Sequence, residues 1–535
     1  MTNSLLSKSW LFYNKKKIST LSILLFSLFI IHSCQLANNG TTNGNSVKVI
    51  DFSPDIPVDV DPALQTRLKE EGNLYALNQA FNRYSWDAFV AINWPRGENG
   101  EPLPNFTDNG TATWLGWKEA FQVYREDGKA PAPWGSPRTA SGLGLNPNVL
   151  GDTGARAVLS KNTPTMGKNI ADEVDQAFAG ELYDQNGNVV VYEVLMNEAE
   201  FNYIVDNGLY NINGQLAFTK NTPNANFPKG NYEDGTVGAV EIKFAWKILE
   251  SNDIKERYFV NEGYIVNEQT NELEKKTLGM IGMHISQKTP TGKQWVWSTF
   301  EHIDIIDQNT TTIGGTEVVI HPSLTDPDCE ICPVNVDLSS DKATLAANKH
   351  GDFWNLGTDT LDWYRNSTVR KTQVKRMVDI PVRVEKINAE MQAYFKSVGS
   401  VWQYYRLIDT QYPLDQNVPP GPNSPDNFII PESVTNKPGG KPNLALLTNM
   451  TMETFFQKGN QDAANLIENF NGQTNFEIFG TESCMGCHSS AGIYNSVDRN
   501  GSKIVANKGG QLSADFSWLM GNAKWLDNIP VMPEQ

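Results

Sequence analysis

The residues best suited to chemistry lie near the C-terminus, where Cys484, Cys487 and His488 form the pattern C-x-x-C-H. Two thiols at this spacing can each add across one vinyl group of a haem, which gives two thioether bonds. The imidazole of the following residue can then bind the iron from one face of the ring. The pattern predicts one covalently bound haem, attached at Cys484 and Cys487, with His488 as the proximal iron ligand. A zinc half-site, or a disulfide beside an unrelated histidine, is the alternative.

This motif resembles the haem-attachment site of c-type cytochromes, and the resemblance is specific only at Cys484, Cys487 and His488. In small class I members of that family, the motif lies near the start of the domain and a methionine ligand follows it. The resemblance therefore implies one haem c and a cytochrome c-like haem domain, which we expect over residues 443–535. It also implies attachment of the haem outside the cytoplasm.

The distal ligand of the iron would decide what this haem does. A methionine opposite the histidine closes the iron and gives an electron carrier, whereas an open position permits peroxide or oxygen chemistry. Met520, downstream of the motif, is the candidate distal ligand, and Met450 and Met452 are the alternatives. For each of these methionines, packing in the core is the other explanation.

A second group of polar residues lies within 295–304, which contains two tryptophans, a histidine and two carboxylates. The alternation of a strand places His302 and Asp304 on one face, and such a pair could relay protons or hold a metal. We therefore consider His302 and Asp304 as candidate catalytic residues. The alternative is a sheet histidine whose hydrogen bonds are satisfied.

A second C-x-x-C pair, Cys329 and Cys332, has no histidine after it. It therefore cannot be another haem site of the same kind, and we predict a short-loop disulfide between the two cysteines. A thioredoxin-like redox pair would require a βαβ pattern around it, and a metal half-site would require further ligands such as His321.

The N-terminus predicts export. Residues 15–17 are three lysines and residues 21–31 form an apolar run, which is typical of a signal peptide over residues 1–33. The run ends at Cys34 and resembles a bacterial lipoprotein box, which implies cleavage before Cys34 and lipidation of its thiol. A plain signal peptide followed by an unrelated cysteine is the alternative. Residues 34–50, rich in Asn, Gly and Thr, would be a flexible tether.

Charge and composition limit the partners. Hydrophobic residues make up 39 % and charged residues 20 % of the chain, as in a globular protein. The net charge of -17 disfavours nucleic acid as a partner and could steer a basic redox partner protein. We expect contact with a membrane only through the lipid anchor, and a location in the periplasm or cell envelope.

The hydrophobic periodicity predicts an α+β fold. A large mixed region over 51–412 begins with helices, continues with an antiparallel sheet or sandwich over 181–320, and returns to helix over 342–412. A stretch dense in Pro, Gly and Asn, residues 413–442, predicts a linker before a helical, cytochrome c-like C-terminal domain.

These observations favour an exported, lipid-anchored mono-haem cytochrome that transfers electrons. One alternative is a haem-dependent peroxidase or oxidase whose substrate site lies between the β-rich region and the haem domain. The other is a haem-based sensing or binding lipoprotein. The 535-residue chain is longer than a simple electron carrier requires, so the large non-haem region needs a role of its own.

Overall fold

The structure is a computed structural model that describes residues 49–136, 158–159, 181–266, 273–307, 309–329, 334–335, 371–414, 443–444, 447–454, 457, 484–489, 491–500, 503–510 and 512–526. The predicted signal peptide, Cys34 and nearly all of the predicted tether and linker lie outside these residues. Residues Val47–Gln535 form one compact unit.

The strands, numbered in chain order, are β1 (Pro95–Arg96), β2 (Thr111–Ala112), β3 (Lys118–Glu119), β4 (Val158–Leu159), β5 (Val191–Met196), β6 (Gly230–Asn231), β7 (Thr236–Val237), β8 (Val240–Ile248), β9 (Val260–Val266), β10 (Leu273–Gln287), β11 (Val296–His302), β12 (Thr310–Ile313), β13 (Thr316–Val319), β14 (Tyr405–Gln411), β15 (Tyr494–Asn500) and β16 (Lys503–Lys508). The helices are α1 (Pro62–Glu70), α2 (Leu74–Ile92), α3 (Ala120–Val123), α4 (Glu198–Asp206), α5 (Ile212–Phe218), α6 (Val382–Ser397) and α7 (Cys484–His488). Among these described elements, no helix has the length and apolar character needed to cross a membrane.

Eight of the described strands join in one sheet. Its main path runs β14, β11, β10, β8, β5, β3, and every neighbouring pair on this path is antiparallel. Strand β9 pairs with the first half of β10, and β4 pairs with β9 in the parallel direction. Strands β8 and β11 together contain Val, Ile, Phe and Trp, whose side chains pack well on a pleated surface.

One face of the sheet is covered by α2 and α6, and we call it the helix-covered face. Phe300 of β11 lies against Trp86 and Phe89 of α2, with ring centroids 4.9 Å and 4.4 Å apart. Phe395 of α6 and Phe244 of β8 belong to the same buried cluster. This is the main hydrophobic core, and it fixes the strands that carry polar side chains on the opposite face.

The opposite face is covered by the tail, by which we mean the described residues from 447 to 526. Tyr192 Oη of β5 donates to Thr451 O at 2.7 Å, and Met450 N donates to Glu301 Oε1 at 2.7 Å. Lys288, just after β10, forms a buried ion pair with Asp515 at 2.6 Å. The tail is therefore fixed to the sheet by polar contacts at several points.

The expected combination of helices and antiparallel sheet is confirmed. The expectation of helix over 342–412 is wrong at its end, because Tyr405–Gln411 is the 7-residue edge strand β14. The preceding helix ends at Ser397, and Gly399 then adopts a positive φ of 68° that other residues avoid. In the region predicted to be a helical haem domain, the described residues also contain the hairpin β15–β16.

Candidate functional site

The C-x-x-C-H motif forms a single helical turn, α7. Residues at positions i, i+3 and i+4 of a helix lie on one face, so this turn groups the side chains of Cys484, Cys487 and His488. Cys484 is half-buried, Cys487 is buried, and neither is part of a disulfide. The local geometry therefore suits two attachments and one iron ligand on the same side.

His488 is held as a metal ligand would be. Its Nδ1 lies 2.7 Å from the carbonyl oxygen of Phe516, so the ring donates its Nδ1 hydrogen and keeps the Nε2 lone pair free. Desolvation lowers the pKa of His488 to about 4, which keeps the imidazole neutral at physiological pH. A neutral ring with a fixed tautomer is the form that binds iron.

Two strands of the sheet anchor the motif. The ring of Trp297 on β11 has its centroid 6.2 Å from that of His488 and 5.5 Å from that of Phe516. Next to it on β14, Gln411 accepts a hydrogen bond from Met485 N at 2.7 Å. These contacts orient α7 against the sheet and shield the histidine from water.

A histidine and a carboxylate lie close to the motif on the tail-covered face. His284 sits in the middle of the sheet, with Lys243 and Thr299 as its cross-strand neighbours. Its Nε2 lies 3.5 Å from Oε2 of Glu453, which itself accepts a hydrogen bond from Asn449 N at 2.8 Å.

The charges of His284, Glu453 and Lys243 influence one another and the residues of the motif. Burial opposes the charge of Glu453, but His284 and Lys243 nevertheless lower the pKa of this carboxyl below its ordinary value. Burial raises the pKa of the Cys484 thiol, and the charge of Glu453 raises it further. His284 and Lys243 also contribute to the lowered pKa of His488.

Two further carboxyl groups are buried near the segment that contacts His488. Glu241 of β8 accepts a hydrogen bond from Ser517 Oγ at 2.9 Å, and burial raises the pKa of this carboxyl to about 7. Burial also raises the pKa of Glu200, whose two oxygens have no hydrogen-bond partner among the described residues. These acids are therefore able to hold protons close to the segment that contacts His488.

Among the described residues, His302 and Asp304 form no hydrogen bond between their side chains. His302 Nδ1 accepts from Asp304 N, and Nε2 lies 3.0 Å from Arg257 O. The ring stacks on Tyr258 with centroids 4.2 Å apart, and the Asp304 carboxylate pairs with Arg257 at 3.1 Å. These contacts are those of the structural alternative, a sheet histidine whose hydrogen bonds are satisfied, and they give the catalytic hypothesis no support.

Met520 is completely buried in a short 3-10 turn. Its sulfur lies 3.6 Å from Tyr124 Oη, which donates to it, and its carbonyl accepts from Gln215 Nε2 at 2.9 Å. Met450 and Met452 pack in another buried cluster with Ile281. The packing of Met520 is that of a core residue, and its role as an iron ligand stays a prediction.

Cys329 is disulfide-bonded. The predicted partner Cys332 lies outside the described residues, as does the predicted lipidation site Cys34. Within the described ranges, no three His, Cys, Asp or Glu side chains are grouped so as to hold a metal ion.

The pairing of His284 with Glu453 was not evident from the sequence, because the two residues are far apart in the chain. The position of His284 in an apolar strand was the only available signal.

Comparisons with protein-family models, with curated proteins and with solved structures found no match.

Proposed function

We propose that this protein is an exported, lipid-anchored c-type cytochrome that transfers electrons through one covalent haem. The main support is the grouping of Cys484, Cys487 and His488 on one helical turn, with Nδ1 of His488 held by a backbone carbonyl. Two thiols and a neutral imidazole on the same side fit the attachment and the proximal ligation of a haem. The haem would supply an iron that cycles between its ferrous and ferric states.

The protein's own residues would hold and protect this cofactor. The carbonyl of Phe516 orients the imidazole, Gln411 fixes the backbone of the attachment turn, and Trp297 provides an apolar wall. Such contacts keep the ligand geometry constant during electron transfer and limit the access of water. The net charge of -17 suits a redox partner with a basic docking surface.

The proposal is tested by asking whether the protein holds haem covalently. The full chain is produced together with a cytochrome c maturation system, denatured, and washed with acid acetone. We expect the wild type to keep a haem-dependent peroxidase stain on a denaturing gel and to give a pyridine haemochrome spectrum. The double variant C484A/C487A should lose both signals, because it has no sulfur to hold the porphyrin.

The matched control is His321→Ala, which removes an exposed histidine and should retain the stain. A wild type that comes through the acid-acetone wash without haem would contradict the proposal. The haem enzyme and the haem sensor remain alternatives. They differ from the carrier in having an exchangeable sixth iron position, which binding of carbon monoxide to the reduced protein would reveal.

A further inference from the structure

His284 has a ring nitrogen whose state requires an explanation. Its side chain is only 14 % exposed, and its Nε2 is buried without a hydrogen-bond partner among the described residues. The contact with Glu453, at 3.5 Å, is longer than a normal hydrogen bond. A buried nitrogen this poorly paired is costly unless a bound group draws the ring into a closer contact with Glu453.

The surroundings of His284 resemble those of a metal-binding histidine. Ligating imidazoles usually donate the hydrogen of their non-ligating nitrogen to a carboxylate, and Glu453 faces Nε2 of His284 in this way, which leaves Nδ1 for the iron. Glu453 is in turn fixed by the backbone of Asn449, and Lys243 lies across the strand pair as a compensating charge. Glu453 and Lys243 therefore position the ring and leave one of its nitrogens for a ligand.

His284 also lies near the C-x-x-C-H motif, as an iron ligand would have to. It lies on the face of the sheet that the tail covers. The neighbouring strand β11 carries Trp297, which contacts His488. Glu453, the neighbour of His284, is close enough to Cys484 to influence the pKa of that thiol. A haem attached to α7 would therefore lie near this part of the sheet.

The sulfur of Met520, by contrast, already has a hydrogen-bond partner. Its sulfur accepts a hydrogen bond from Tyr124, and its 3-10 turn begins two residues after Phe516, at Trp518. Phe516 contacts the Nδ1 edge of His488, whereas iron would bind at Nε2. Using Met520 as a ligand would require both its hydrogen bond and its packing to be given up.

We propose that His284, positioned by Glu453, is the second axial ligand of the haem iron, in place of Met520. This inference rests on the proposed function, because it presupposes a haem attached to Cys484 and Cys487. With two imidazoles the iron is six-coordinate and low-spin, and carbon monoxide has no free position in the reduced protein.

The experiment compares the full-length holoproteins of the wild type, His284→Ala, Met520→Ala and the control His321→Ala. The pyridine haemochrome first measures how much covalent haem each protein holds. Optical and electron paramagnetic resonance spectra of the ferric state then report the spin state. We expect His284→Ala to keep its haem, become high-spin and bind carbon monoxide, while added imidazole restores the low-spin spectrum. Met520→Ala and His321→Ala should retain the wild-type spectrum.

If His284→Ala does not yield folded protein, His284→Met provides a second test, since it offers a thioether to the iron. We expect a low-spin spectrum of the imidazole–thioether type and a higher midpoint potential than in the wild type. A wild type that is already high-spin, or a histidine variant that keeps the wild-type spectrum with its haem attached, would overturn the ligand assignment alone. A wild type without covalent haem would overturn the proposed function as well.

Discussion

Two glutamates near the C-x-x-C-H motif, Glu241 and Glu200, are buried although carboxyl groups usually lie at the surface. Glu241 and Glu200 are almost completely shielded from water, and burial raises the pKa of both. A carboxylate in such a place would be costly without a paired cation, so the neutral acid is the stable form. The protein therefore takes up protons on folding at these positions.

The stability of the protein should depend on pH through Glu241. Its pKa is raised from 4.5 to about 7, so the folded state holds a proton that the unfolded chain has already lost in this range. The free energy of unfolding should therefore fall as the pH rises from 4.5 through 7, by about 3 kcal/mol for this group. Glu241→Gln, neutral at every pH, should remove this part of the slope.

Denaturant unfolding at pH 5 and pH 8 measures the difference. Glu262→Gln is the control, because the side chain of Glu262 is 50 % exposed and its loss should leave the slope as it is. Equal pH slopes in the wild type and in Glu241→Gln would show that the buried acid is not protonated in the folded state.

At the scale of elements, the contact between the sheet and the tail depends on a close approach at Gly282 of β10. A β-carbon at this position would overlap with Thr451 of the tail. The register of β10 against β8 also shifts between Met280 and Gly282, so the strand is irregular at this point. Gly282 allows the tail to lie directly on the strand.

Gly282→Ala should weaken this contact. Because the added methyl group forces the strand and the tail apart, we expect the free energy of unfolding to fall by about 1–3 kcal/mol. The matched control is Gly116→Ala, where a β-carbon would have no atom within 4 Å. Chemical unfolding midpoints measure both variants, and equal midpoints would show that the tail is not packed against β10 at Gly282.

The sequence predicted the local features better than the distant ones. Cys484, Cys487 and His488 are adjacent in the chain, so their grouping follows from a single turn of helix. The antiparallel sheet over residues 181–320 was predicted from the hydrophobic periodicity. The closeness of His284 and Glu453 depends on how the tail lies across the sheet, which no local pattern encodes. The strand β14 was missed because its aromatic and apolar residues also fit a helical period.

At the scale of the whole molecule, residues Val47–Gln535 form one compact unit although the periodicity suggested separate regions. The tail contributes to the packing of the sheet, and the sheet provides the walls around the motif. Described strands from the large region before residue 412 therefore pack around the C-x-x-C-H motif. The linker predicted at 413–442 lies almost wholly outside the described residues and stays a prediction.

Attachment to a membrane should depend on Cys34. If its thiol carries a lipid, Cys34→Ala should move the protein from the membrane fraction to the supernatant after cell lysis, because a single apolar anchor is lost. Fractionation followed by immunoblotting measures the distribution. Asn39→Ala, in the predicted tether, is the control and should stay with the membrane. A Cys34→Ala protein that remains in the membrane fraction would contradict the lipid anchor.

The position of the motif in the chain has a consequence for biogenesis. The ribosome makes α7 after every strand of the main sheet, and in the finished fold Cys487 is buried and His488 faces Trp297. An enzyme that joins porphyrin to sulfur needs access to both thiols. If the proposed haem is attached at these thiols, its ligation would have to precede the closure of the tail onto the sheet, and a chain that closes first would remain without haem.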